Sequence, residues 1–266
     1  MSRRLTDPDY LLSEQYRSDQ NLNARAELHR RFSTNRHGWM PWVFDQFDLP
    51  ERATVLEVGG GPGWLWVENR ARIPPGWRIT LTDLSPGMVN AARANLAGDS
   101  RFHIRTADVQ ALPFANETFD AVIANHMLYH VPDRAGALAE IRRVLRPGGA
   151  LYAATNGVNH MRELTDLALR LDPDGRFAGL HRLPAGFTLE NGYAQLAAYF
   201  DAVEVRRYPD ALLVTEVEPL VEYVLSGLKR DEQTPALADA VRAALGREMQ
   251  PHGAIRITKD SGLFIA

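Results

Sequence analysis

The 266-residue chain has no cysteine. That excludes disulfides, thiolate metal sites, cysteine-ligated iron–sulfur clusters and a cysteine nucleophile. Lysine and arginine form no block and the formal net charge is -3, so a groove for nucleic acid is not expected. No apolar run approaches the roughly 18 residues of a membrane span, and the first residues lack a signal-peptide core. The expectation is therefore a cytoplasmic protein with no membrane partner. Internal repeats and flexible linkers are missing as well, while the length is ample for one large domain with its own core.

The most informative stretch is Thr54 to Gly63, where an apolar strand runs into a turn with glycine at positions 59, 61 and 63. Glycine adopts positive φ without penalty from a Cβ and lets a ligand approach the main chain. Glu57, at the strand's end, reads as a carboxylate facing the same crevice. The spacing departs from the dinucleotide fingerprint G-x-G-x-x-G: Trp64, counted from Gly59, and Trp66, counted from Gly61, stand where a small residue belongs. A carboxylate at Glu57 also repels a pyrophosphate. A dinucleotide-dependent oxidoreductase is thus a disfavoured alternative.

Three further strands follow. Residues 77 to 83 end in Asp83, residues 102 to 109 lead to Asp108, and Phe119 to Asn125 is almost wholly apolar, as in a strand buried on both faces. Glu57, Asp83, Asp108 and Asn125 consequently fall on one edge of a parallel sheet, the edge at which such sheets bind ligands. Asp83 lies at the distance past the glycine turn that suits a ribose hydroxyl pair. It also stands where a helix cap is needed, a task Ser85 before Pro86 performs equally well.

With E-x-G-x-G-x-G at 57 to 63, Asp83, the run A-D-x-x-x-L-P-F at 107 to 114, F-D-x-V at 119 to 122 and the Arg146-Pro147-Gly148-Gly149 approach to a fifth strand, the chain resembles class I S-adenosylmethionine-dependent methyltransferases of the small-molecule type. The resemblance covers residues 50 to 156. It implies a Rossmann-like α/β fold, a seven-stranded mostly parallel sheet flanked by helices with the last strand antiparallel, and S-adenosylmethionine as cofactor. By position it implies that Gly59, Gly61 and Gly63 pack against the methionine and ribose, with Glu57 oriented toward the ligand through its hydrogen bonds. Asp83 would hold the ribose hydroxyls, Leu84 and Met88 line the adenine, Asp108 and the Val109 backbone read its edge, and Asn125 face the methionine amino group. Pro62 departs from the pattern and is tolerable where no amide donor is needed.

Residues 1 to 50 read as a helical lid, with an amphipathic run over 23 to 32 and an aromatic one over 39 to 44. Residues 51 to 156 form the cofactor-binding core, and 157 to 266 the remainder of the same domain, with a sixth strand over 200 to 208, about two helices inserted over 209 to 252 and a last strand at the C-terminus. In the lid, Tyr16 is expected to touch the cofactor, and Arg25, His29, Trp39 and Trp42 are in reach of ligand or are plain core. Past the fourth strand, His126 and His130 are the base candidates. A helix there would put them on one face at i, i+4, and histidine titrates near neutrality. With no third ligand apparent, no metal site is expected. Asn156, Asn159 and His160 are secondary acceptor-side candidates. The expected activity is methyl transfer to oxygen, nitrogen or carbon of a small metabolite by a monomer or homodimer; the alternative is a non-catalytic binder of the cofactor.

Overall fold

A computed structural model of the chain describes residues 6, 27–171, 186–226, 228 and 232–266. Seven strands form one sheet: β1 Thr54–Val58, β2 Arg78–Asp83, β3 Phe102–Thr106, β4 Phe119–Asn125, β5 Leu145–Asn156, β6 Glu204–Val214 and β7 Ile255–Ile265, in the spatial order 3-2-1-4-5-7-6. β1 to β5 pair in parallel, and β7 runs antiparallel to both β5 and β6. This is the expected fold class. The strand order reverses between β1 and β4, which opens a crevice beyond their carboxyl ends.

Alternation along the strands divides the core into two layers. Leu56, Val58, Val122 and Leu151 face one side, where Leu138 and Ile141 of helix α5 (Arg134–Val144) cover them. Val55, Ile79, Leu81, Ile123 and Tyr152 face the other. There they meet α2 (Trp39–Phe44), α3 (Trp64–Asn69) and α4 (Pro86–Asn95); α1 is the short helix over 27–32. Side chains in a strand alternate between faces, so Glu57 shares the side of Val55, under α3.

The sixth strand extends further than expected, from 204 to 214 rather than ending at 208. β5 pairs only with Ser261 to Ile265, whereas β6 pairs with the whole of β7. The outer half of the β6–β7 ribbon therefore overhangs the ligand edge of the sheet. Leu212, Val214, Ile255 and Ile257 at its tip form a third core with α6 (Arg162–Leu171), α8 (Val217–Leu225), α9 (Pro235–Met249) and Leu28 and Phe32 of α1. Residues 33 to 35 cross from that lobe along β6: Ser33 bridges Leu212, and the Thr34 amide donates to the Ala211 carbonyl at 2.8 Å. The chain then enters α2. No helix among the described residues is long and apolar enough to cross a membrane.

Candidate active site

Gly59, Gly61 and Gly63 all have positive φ, at 61°, 55° and 80°. The alternation of glycine is thus a conformational requirement. The turn is tied to the next strand by Asp83, whose carboxylate accepts from the Gly61 amide at 2.9 Å and from the Ser85 amide at 2.8 Å. Ser85 in turn caps α4 by accepting from the Met88 amide at 3.3 Å. The cap weighed for Asp83 is thus supplied by Ser85, and Asp83 ties the loop to the strand end. Burial raises the Asp83 pKa, against the two amide donors.

Glu57 does not face the crevice, contrary to expectation. It is buried beneath the turn, and its carboxyl accepts from the Trp66 indole at 2.6 Å. One of the two bulky residues that break the dinucleotide fingerprint, Trp66, is therefore the partner of the acid. Burial pushes the Glu57 pKa up to about 8; the Trp66 hydrogen bond works against this and the Asp83 charge adds to it. The ordinary strand parity of Glu57 could have revealed this.

Asp108 lies two residues beyond β3, with its carboxylate accepting from the Gln110 amide at 2.9 Å and the Gln110 side chain at 3.1 Å. Val109 is buried. Of the two residues assigned to adenine, Leu84 is 38% exposed and Met88 only 1%, so Leu84 alone presents substantial surface. Gly59 is approached by the side chain of Met127, to which an added Cβ would come within 2.7 Å. Tyr16 and Arg25 lie outside the described residues.

At the end of β4, Asn125 Oδ1 accepts from the Trp39 indole of α2 at 3.2 Å. The histidine segment is not helical. His126 has φ 57°, and only Leu128 to His130 form a single 3₁₀ turn, so the i, i+4 face does not exist. The backbone at His126 is held to β5 by its amide, which donates to the Ala154 carbonyl at 3.1 Å. The His126 ring packs 4.9 Å from Trp39 and 6.4 Å from Tyr129, whose ring lies 4.5 Å from His130. Burial lowers the His126 pKa to about 4, helped by the charges of Lys259 and His130. His126 is therefore neutral at pH 7 and a weak base. Asn156 and His160 serve the sheet: Asn156 Oδ1 accepts from Ser261 Oγ at 2.6 Å and His160 Nδ1 from the Asp260 amide at 3.2 Å. The Asn159 carbonyl accepts from the Arg162 amide at 3.3 Å at the start of α6.

Three residues of the overhanging ribbon join this edge without having been anticipated. Tyr208 lies 5.3 Å from Trp39 and 5.2 Å from Trp42, and Lys259 Nζ sits 5.5 Å from the Tyr208 ring centre. Lys259 is paired with Asp210 at 2.7 Å, their side chains 7% and 0% exposed. In sequence, the signal is an ion at an inward position of each strand, beside Leu212 and Ile257. A groove lined by Glu163, Leu167, Arg170, Leu245 and Glu248, between α6 and α9, lies apart from this edge and contains none of these residues.

Residues 56–153 match the family described as a methyltransferase domain. The chain carries a class I S-adenosylmethionine-dependent methyltransferase domain. This methyltransferase domain is similar to the ubiquinone/menaquinone biosynthesis C-methyltransferase UbiE of Hahella chejuensis, with 33% identity over 117 residues, 42% of this chain and 47% of that one. It is also similar to the malonyl-[acyl-carrier protein] O-methyltransferase of Erwinia pyrifoliae, with 33% identity over 181 residues, 68% of this chain and 63% of that one. Among solved structures, phosphoethanolamine N-methyltransferase 2 of Haemonchus contortus in complex with S-adenosyl-L-methionine superposes with a TM-score of 0.59 at 19% identity, over 97% of this chain and 59% of that one. The chain spans about half or less of the length of the first curated relatives it matches.

Proposed function

We propose that the protein is an S-adenosylmethionine-dependent methyltransferase acting on an oxygen, nitrogen or carbon atom of a small metabolite. The observation that carries this reading is the hydrogen bond between Asp83 and Gly61, which locks a left-handed glycine turn to a strand-end carboxylate. The donor set fits the cofactor: Asp83 offers carboxylate oxygens for a ribose hydroxyl pair, Leu84 offers apolar surface, and Asn125 Oδ1 offers an acceptor for an ammonium group. When bound, S-adenosylmethionine would supply an electrophilic methyl group on a sulfonium.

The protein's share of the chemistry is orientation. Holding two reactants in register lowers a barrier by about 7 to 11 kcal/mol, and Trp39 of the aromatic helix α2 lies at this edge, bonded to Asn125. A general base adds about 100-fold to 10,000-fold where the acceptor must lose a proton. The depressed basicity of His126 makes it a neutral hydrogen-bonding wall. His130 is left as the preferred base, one aromatic ring further along.

Calorimetric titration with S-adenosylmethionine and S-adenosylhomocysteine tests the reading. Wild type is expected to bind in the micromolar range and Asp83→Ala about 10-fold to 100-fold more weakly, as for loss of a charge-assisted hydrogen bond. Absence of binding to the wild type overturns it. Of the two histidines, His130→Ala is expected to lower turnover across pH 6 to 9 more than His126→Ala.

A further inference from the structure

Asp210 is a completely satisfied anion. Oδ2 accepts from Lys259 Nζ and from Ser33 Oγ, while Oδ1 accepts from Thr34 Oγ1 at 3.1 Å, the Asn35 amide at 2.9 Å and the Ala211 amide at 2.8 Å. Ser33, Thr34 and Asn35 come from the segment that crosses between the overhanging lobe and α2. Lys259 is not satisfied in the same way. Its ammonium has three N–H bonds, but among the described residues Asp210 is its one hydrogen-bonding partner, and the Tyr208 ring supplies a π face beside it.

The direction of the pair matters. Asp210 and Lys259 are opposite each other in the β6–β7 register, with Asp210 anchored on the side of residues 33 to 35. The charge of Lys259 is felt at His126 and that of Asp210 at Tyr208. His126 is the ring stacked on Trp39, and Trp39 donates to Asn125, the residue at the methionine end of the candidate cofactor site. Lys259 Nζ lies 5.5 Å from the Tyr208 ring, which packs 5.3 Å from Trp39, so the ion pair borders the same aromatic wall as the reacting edge. A buried ammonium with unfilled donors draws in an oxygen acceptor and disfavours a second cation.

We propose that Lys259, held by Asp210 beside Tyr208, is the anchor for the methyl acceptor, and that the acceptor is a flat molecule bearing an anionic oxygen, a carboxylate, phenolate or enolate, rather than an amine. This rests on the methyltransferase reading above and narrows it. Trp39, Trp42 and Tyr208 form the apolar wall for the flat body of such a molecule. Lys259 fixes its oxygen, and neutral His126 adds no competing positive charge.

The test uses the full chain and saturation-transfer NMR with matched probes: benzoate, 4-hydroxybenzoate and 2-naphthoate, their amides, and the corresponding arylmethylamines, each with and without S-adenosylhomocysteine. The carboxylates are expected to bind at least tenfold more tightly than the amides and amines. Because removing only the lysine leaves a buried lone carboxylate, the decisive variant is Lys259→Met with Asp210→Leu, which removes both charges. It should lose the carboxylate preference while binding S-adenosylhomocysteine within twofold of wild type. Equal binding across probe charge, no carboxylate binding, or an unchanged preference in the double variant overturns the proposal. Failure of S-adenosylhomocysteine to bind overturns the cofactor reading instead, and the probe series without it still reports on Lys259.

Discussion

Glu57 shows how far one side chain's environment can differ from what its neighbours in sequence suggest. Its place at the strand end, before a glycine turn, reads as an exposed ligand group, yet its parity with Val55 sends it under α3 to the Trp66 indole. Its folded pKa of about 8 exceeds the unfolded value near 4.5, so the folded state holds the proton more tightly. Stability from this group is full below about pH 4.5 and is lost as pH rises through 8. Thermal unfolding of the unliganded protein is therefore expected at a lower temperature at pH 8.5 than at pH 6. Glu57→Gln, which keeps an oxygen for Trp66 and cannot ionise, should flatten that dependence. An unchanged slope in the variant would show that Glu57 is not the group responsible. At this scale Asp83 was legible from the sequence because strand-end position and spacing both bear on it. The Lys259–Asp210 pairing was not: each ion's inward position is a local signal, but their meeting depends on the register between β6 and β7, which no local pattern encodes.

Among the elements, β3 ends at Thr106 rather than 109 and β5 starts at Leu145, ahead of the Arg146 to Gly149 approach expected to precede it, while the glycine turn, β1, β2 and β4 follow directly from local chemistry. Apolar runs of strand length bounded by turn residues define them, and β4 begins and ends where the apolar run does. The segment after β4 went the other way. A helix there would have set the two histidines on one face, but the His126 amide bonds to β5, and the chain turns at once past the sheet edge. Gly59 allows the turn to be probed. At Gly59 an added Cβ meets both positive φ and the Met127 side chain, whereas at Gly98, φ 77°, it meets open space. Left-handed strain alone costs about 1 to 2 kcal/mol. Gly98→Ala should show only that loss in chemical denaturation and leave cofactor affinity intact. Gly59→Ala should lose more stability and weaken S-adenosylhomocysteine binding, and equal effects at the two sites would refute the role of Met127 in closing the turn.

The molecule as a whole combines a two-faced sheet with a lobe built on the overhanging ends of β6 and β7. Its two helices were expected from the 209 to 252 stretch, and α8 and α9 supply them, but the expected strand stopped at Tyr208, before Pro209, whereas β6 runs on to Val214. At the lobe's centre Ile257 is fully buried. Ile257→Ala should cost about 2 to 5 kcal/mol. Hydrogen exchange is expected to quicken in 209 to 214 and 255 to 260 and in α8 and α9, while β1 to β4 keep their protection; a uniform increase would mean the lobe is not a separate cooperative unit.

The unbroken ladder from Tyr208–Ser261 out to Val214–Ile255 gives this lobe the mechanics of a cantilever without a pivot. Tilting it away from the edge requires bending two paired strands at once and breaking the bond between Asn156 and Ser261. Shape selection is thus built into the resting molecule: Tyr208 and Lys259 stand at fixed stations on the beam, and because the Tyr208 ring is already packed 5.3 Å from Trp39 and 5.2 Å from Trp42, these rings act as one preset wall rather than as the two sides of a slot.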